Sequence, residues 1–269
     1  MKNKIMMVIR AIMIMTLLVS VSIAESSKKD KLEVYEDIVS GYKCNIAAET
    51  IGKSYFSIGE NVSVRQGRIE MNKALIAFSK RYIMLVKSAK DKKIKNLLSF
   101  MLMNYNELKI LVKKPYNMNN AQLVLDLVGS LSEASRHIAT TYKKQIGYND
   151  PVNRVGLSPK IESIAKYYIA YQAGIKDENT LAMMKKSVDF CEKNIKIRIN
   201  YAGNTPEMNK AIGKVNELWK VVKQFYLDIE DGGLPFIVFR TTTDLKNGNK
   251  KYAKMYKELV KARLKKSSK

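Results

Sequence analysis

Apolar residues recur along this chain in steps of three and four. Leu123, Leu127, Leu131, Ala134, Ile138 and Tyr142 form one stripe. Leu181, Met184, Val188, Cys191, Ile195 and Ile199 form a second. Met208, Ala211, Ile212, Val215, Leu218, Val222 and Phe225 form a third. Such steps put each set on one face of a helix turning every ~3.6 residues. Alternating Val/Ile/Thr runs with tight turns are almost absent. The pattern predicts an all-α fold.

Capping signals place the boundaries. Thr205-Pro206-Glu207 orders a cap residue, a first-turn proline and a first-turn acid. Asn119 and Gln122 have capping-box spacing, with Asn in place of Ser or Thr. Pro115 and the Asn-rich stretch after it break one helix, and Asp231-Gly232-Gly233-Leu234-Pro235 breaks another. Helices are expected near 31–55, 66–88, 91–113, 119–146, 160–174, 178–200, 205–230 and 236–264, the last weakened by Thr241-Thr242-Thr243. Eight helices with short breaks imply two tandem antiparallel helical-bundle units. Gly147-Tyr148-Asn149-Asp150-Pro151 separates a first unit (25–150) from a second (151–264), and 265–269 forms a frayed tail.

The first 24 residues stand apart. Lys2, Lys4 and Arg10 precede an apolar run from Ala11 to Ala24, which ends on the small residues Ser22 and Ala24. This is the layout of a cleaved signal peptide, and the run is shorter than the ~20 residues a spanning helix needs. The alternative is an uncleaved anchor that counts Ile5 to Ala24 as one span. The expected location is periplasmic or secreted, with no membrane span after cleavage. Removing this segment takes away three basic residues and no acid, so the net charge falls from +23 to +20. That charge suits a polyanion surface or reflects a Lys-rich composition, since no block of five like charges occurs. No specific nucleic-acid motif accompanies it.

Composition narrows the chemistry. One His and two Cys exclude a His/Cys zinc site and a disulfide-dense scaffold. His137 has no nucleophile motif beside it, and Glu133 lies one turn away as a partner. Trp219 and the cluster Tyr167, Tyr168 and Tyr171 read as packing residues. There is no phosphate-binding Gly loop, metal-ligand spacing or Ca²⁺ loop. The expectation is a non-enzyme without a cofactor or metal. Cys44 and Cys191 either bridge in an oxidising compartment or remain separate buried thiols.

A faint repeat is visible. Asn61 to Glu70 and Asn153 to Glu162 match at an offset of 92 residues in Asn, a basic residue, Ile and Glu. Lys90-Asp91 and Lys176-Asp177 each open the next helix, and Met118-Asn119 and Met208-Asn209 each lie near the start of another.

The second half then offers a resemblance. Ala165-Lys166-Tyr167-Tyr168-Ile169-Ala170 leads to Ala173-Gly174. A helix follows, then Ala202-Gly203-Asn204-Thr205-Pro206-Glu207 and a helix bearing Trp219. This order resembles the N-terminal PilJ-type sensor domain of type IV pilus methyl-accepting chemotaxis transducers. That domain is related to the periplasmic domains of nitrate/nitrite sensor kinases. The resemblance covers about Glu49 to Leu259 and implies duplicated helical units. It also implies a small-anion site on a motif of the form G-R-Q-R-M-L-S-Q-R. Arg65-Gln66-Gly67-Arg68-Ile69-Glu70-Met71-Asn72-Lys73 is the nearest match, so Arg65, Arg68, Asn72 and Lys73 are the expected ligand-binding residues. Guanidinium forks and a helix N-terminus suit a planar oxyanion, whereas Glu70 opposes one. In the second half the motif has decayed to Ser158-Pro159-Lys160-Ile161-Glu162-Ser163, without arginines. The expected function is an exported, sensor-like binding module for an anion such as nitrate or nitrite. It would act through a partner protein or by sequestering its ligand, and the resemblance implies a homodimer. The alternative is a basic envelope protein that binds a polyanion or another protein.

Overall fold

A computed structural model describes residues 30–148, 156–230 and 233–266. The expected targeting segment lies outside them, as do parts of the expected unit boundary, of the Asp231-Gly232 break and of the C-terminal tail. Eight α-helices and no strand occur among the described residues: α1 (Lys31–Gly59), α2 (Val64–Ser88), α3 (Lys92–Leu111), α4 (Met118–Gln145), α5 (Leu157–Gln172), α6 (Glu178–Ile199), α7 (Pro206–Leu227) and α8 (Pro235–Lys266). The all-α reading holds. None of these helices is long and apolar enough to cross a membrane.

Side-chain caps explain many of the starts. Asp91 accepts from the N–H of Lys93 and Ile94 (2.7 and 3.1 Å) at the head of α3, and Asp177 accepts from Thr180 N–H (2.6 Å) at the head of α6. Thr205 caps α7 by accepting from Met208 N–H at 3.3 Å, with Pro206 in the first turn. The expected cap of α4 moves. Asn117, not Asn119, accepts from the N–H of Asn120 at 2.8 Å, while Gln122 reaches forward to Asp126. The threonine run does not interrupt α8. Thr241, Thr242 and Thr243 each donate a hydroxyl to the carbonyl four residues back, at 2.8, 2.7 and 2.9 Å, so their polar groups are satisfied inside the helix. Lys265 and Lys266 belong to α8.

Each half closes its own ring of neighbours. In the first, α1 packs against α2 and α4, α3 packs against α4, and α2 meets α3. In the second, α5 packs against α6 and α8, and α7 packs against α6 and α8. The rings join because α1 also packs against α5 and α8. Residues 47–57 of α1 and 161–170 of α5 are buried on every side. One hydrophobic cluster therefore runs through both halves. The sequence of α1 suits this position. It has no one-sided stripe, and Gly41, Ala47, Ala48, Gly52, Ser54 and Ser57 keep it slim. A Cβ at Gly41 would stand 3.1 Å from the Ala139 side chain of α4.

Candidate functional site

The crowded junction of α1, α2, α5 and α8 holds four charged side chains. Lys53 of α1 is fully buried, and its ammonium lies 2.8 Å from a carboxylate oxygen of Glu70 (α2) and 2.8 Å from one of Glu162 (α5). Lys246 of α8 pairs with the other oxygen of Glu162 and approaches Glu70 at 3.9 Å. Each lysine thus touches both acids, and the cluster is electrically neutral. Lys53 also donates to the Thr243 hydroxyl at 3.2 Å and sits 4.5 Å above the Phe239 ring. Burial pushes the Glu162 carboxyl up, but the Lys53 and Lys246 ammoniums outweigh it and hold the group below its ordinary value. Burial likewise lowers Lys246, and Glu162 with Glu70 more than restores it, leaving it raised. Both stay charged because isolated ions cannot bear this desolvation, whereas paired ones can.

A second pair lies between the same central helices. The fully buried ammonium of Lys166 (α5) meets Glu49 of α1 at 3.0 Å, and Ser132 of α4 donates to that carboxylate at 2.7 Å. Lys166 reaches Glu49 by passing over α1 at Gly52, where a Cβ would stand 2.8 Å from its Cδ. Glycine is required there by close approach, not by backbone angle. Burial lowers the Lys166 ammonium, and Glu49 more than compensates, so it too is raised. A third polar chain crosses the second half. Buried Arg198 donates to Asn249 at 2.6 Å, Asn249 donates to Ser158 at 2.8 Å, and the guanidinium lies 5.3 Å from the Tyr252 ring centroid. Burial lowers the Arg198 pKa to about 10.

The four residues expected to bind an anion lie elsewhere. Arg65, Arg68, Asn72 and Lys73 are all exposed on α2, whereas Gly67, Glu70 and Ala74 form its buried face. Gln66 donates to Glu70 at 3.1 Å along the helix. Ser63, which precedes α2, makes no side-chain capping bond. The decayed second copy is core: Ser158 and Glu162 are buried within the polar contacts just described. The Glu shared by the two repeat segments was visible in the sequence, and the structure brings Glu70 and Glu162 to one lysine. Lys53 and Lys246 were missed. The available signal was two acids at inward helix positions among apolar neighbours, which require buried cations.

Other candidates sort as packing. His137 is exposed, 3.7 Å from Glu133. Trp219 is buried and donates to Glu192 at 2.5 Å. With Lys196 and Lys223 also beside it, that bond lowers the Glu192 carboxyl to about 2. Cys44 and Cys191 are buried free thiols. A shallow groove of roughly 560 Å³ is lined by Thr205, Met208, Met255 and Leu259, with Lys251, Lys254 and Glu258 beside them. It includes none of the expected anion residues. Among the described residues no group of three or more His, Cys, Asp or Glu is placed to hold a metal. Comparison with family models, characterised proteins and solved structures finds no match to this chain.

Proposed function

We propose that this chain is an exported, non-enzymatic binding module of the cell envelope that engages a polyanion through its basic outer surface. The observation that supports this reading is where the charges are placed. Glu49, Glu70 and Glu162 are turned inward and neutralised by Lys53, Lys166 and Lys246, so these acids offset none of the surface lysines. Arg65, Arg68 and Lys73 point into solvent rather than converging on an enclosed site. A splayed cationic surface attracts an extended anion by summed, screened attraction, and it lacks the shape to select a small one. Binding to dextran sulfate should weaken steeply with salt, and Arg68→Ala should lower affinity only modestly. Affinity that does not depend on salt would end this reading.

The second reading is the sensor-like module, acting through a protein partner or as a dimer. It draws on the likeness to PilJ-type domains and on one contact. The helix that carries Arg65, Arg68, Asn72 and Lys73 also carries Glu70, which is tied to Lys53 in the central joint. An anion drawn to that turn would shift α2 against both halves, the small helix movement by which bundles switch. Calorimetry with nitrate and nitrite tests it: a binding heat that Arg68→Ala removes favours this reading, and its absence excludes it.

A further inference from the structure

The outer faces of α2 and α3 have a composition that the polyanion reading alone leaves unexplained. Ile69, Ile76 and Ile83 recur every seven residues along the solvent side of α2, at 40%, 71% and 51% exposure. Phe100, Met103 and Ile110, spaced by three and seven residues, line the solvent side of α3, at 45%, 72% and 62%. Of the 18 large hydrophobic residues exposed among the described residues, nine lie on these two of eight helices. Core formation does not account for them, because each helix already buries its opposite face: Ala74, Phe78 and Leu85 on α2, and Leu98, Met101 and Tyr105 on α3.

The two helices form an antiparallel hairpin. Phe78 stacks on Tyr105 with ring centroids 4.3 Å apart, and Tyr105 donates to the Leu75 carbonyl at 2.7 Å. Ile83, five residues past Phe78, is therefore level with Phe100, five before Tyr105. Lysines flank the apolar row. Lys73, Lys80 and Lys87 repeat at the same seven-residue interval, one helical step to the side. Exposed basic residues number five on α2 and four on α3, against one exposed acid, Glu107.

Resting on the polyanion reading, we infer that the α2–α3 face docks on an anionic lipid surface, with the Ile/Phe/Met row entering the headgroup–acyl boundary and the lysines meeting lipid phosphates. Apolar side chains ringed by long cationic ones suit such an interface, since each lysine can lay its stem on the apolar row and raise its ammonium to the headgroups. A polysaccharide or nucleic acid uses the charge and leaves the isoleucines in water. A second copy of this chain would cover the isoleucines, but it would bring like-charged lysines face to face.

The test uses the full chain with an environment-sensitive fluorophore on Met103→Cys, and a control label on Lys185→Cys, an exposed position of α6. Cys44 and Cys191 are buried and should not compete for label. With vesicles containing phosphatidylglycerol, the label at 103 should blue-shift and the label at 185 should not. Phosphatidylcholine vesicles should give at most a weak shift. Ile76→Asp with Ile83→Asp should reduce the apparent affinity at position 103 at least about tenfold, and so should Lys73→Glu with Lys80→Glu and Lys87→Glu. No shift at 103 while dextran sulfate still binds overturns the lipid inference alone; loss of both overturns the polyanion reading too. A shift at 103 that grows with protein concentration, without vesicles, assigns the face to a second copy and also overturns it.

Discussion

Lys53 occupies a position that an apolar residue would normally hold, and two carboxylates flank its ammonium there, each at 2.8 Å. Lys53→Met removes the shared cation and leaves Glu70 and Glu162 with only Lys246. Chemical denaturation should show a loss of about 3–5 kcal/mol, as expected when one partner of a buried ion pair is removed. Replacing Lys53 and Glu162 together by apolar residues should recover much of that, since the largest cost is an uncompensated buried charge. The pH dependence follows from the same groups. Glu162 is held below its ordinary value, so its contribution is present above the unfolded carboxylate value of ~4.3 and is lost as pH falls through the folded value. Lys166 and Lys246 are held above theirs, so their contributions are complete below ~10.4 and are lost as pH rises through the folded values. Urea midpoints should therefore be level between about pH 5 and about pH 10 and fall on both sides, with a shallower acid limb in Glu162→Gln. The inward turn of Glu70 was legible in the sequence as a polar residue at a core phase of α2. Its partners were not, because Lys53 and Lys246 lie 17 and 176 residues away and only packing brings them near.

At the scale of elements, the boundaries follow from local chemistry and the faces from periodicity. Asp91, Asp177 and Thr205 cap the helices they precede, and each cap uses atoms within three residues. Such contacts can be read without tertiary knowledge. The α4 cap shifted by two residues because three asparagines, Asn117, Asn119 and Asn120, offer competing starts. The continuity of α8 through three threonines was not evident because propensity penalises them, whereas their hydroxyls find carbonyls one turn back. Between elements, Trp219 of α7 is fastened to Glu192 of α6. Glu192→Ala leaves the indole N–H without its acceptor, and a loss of about 1–3 kcal/mol is expected. Trp219 is the only tryptophan, so a shift in its emission maximum reports the change directly.

At the scale of the whole molecule, the two rings of helices share one core. Residues 47–57 and 161–170, one stretch from each half, are each other's interior. The halves are therefore expected to unfold together. Urea transitions followed by Trp219 emission, which reports the second half, and by far-ultraviolet circular dichroism, which reports both, should coincide. Two separated transitions would show that the α1–α5 interface holds less than its burial implies. Cys44 and Cys191, one in each half, give a second readout. Burial raises the Cys44 thiol to about 12 and the Cys191 thiol further, so both should resist alkylation until that common transition.

The residue order alone determined the helical class and, among the described residues, the eight helices, with all but one of their ends placed to within three residues, because amphipathic period and capping are short-range properties. Tertiary structure alone decided which charges became interior and which became surface. Helix phase identifies an inward acid, but only the meeting of four helices from distant parts of the chain provides its counter-ions. The same packing left Arg65, Arg68, Asn72 and Lys73 facing water, beside a row of isoleucines that no other described helix covers.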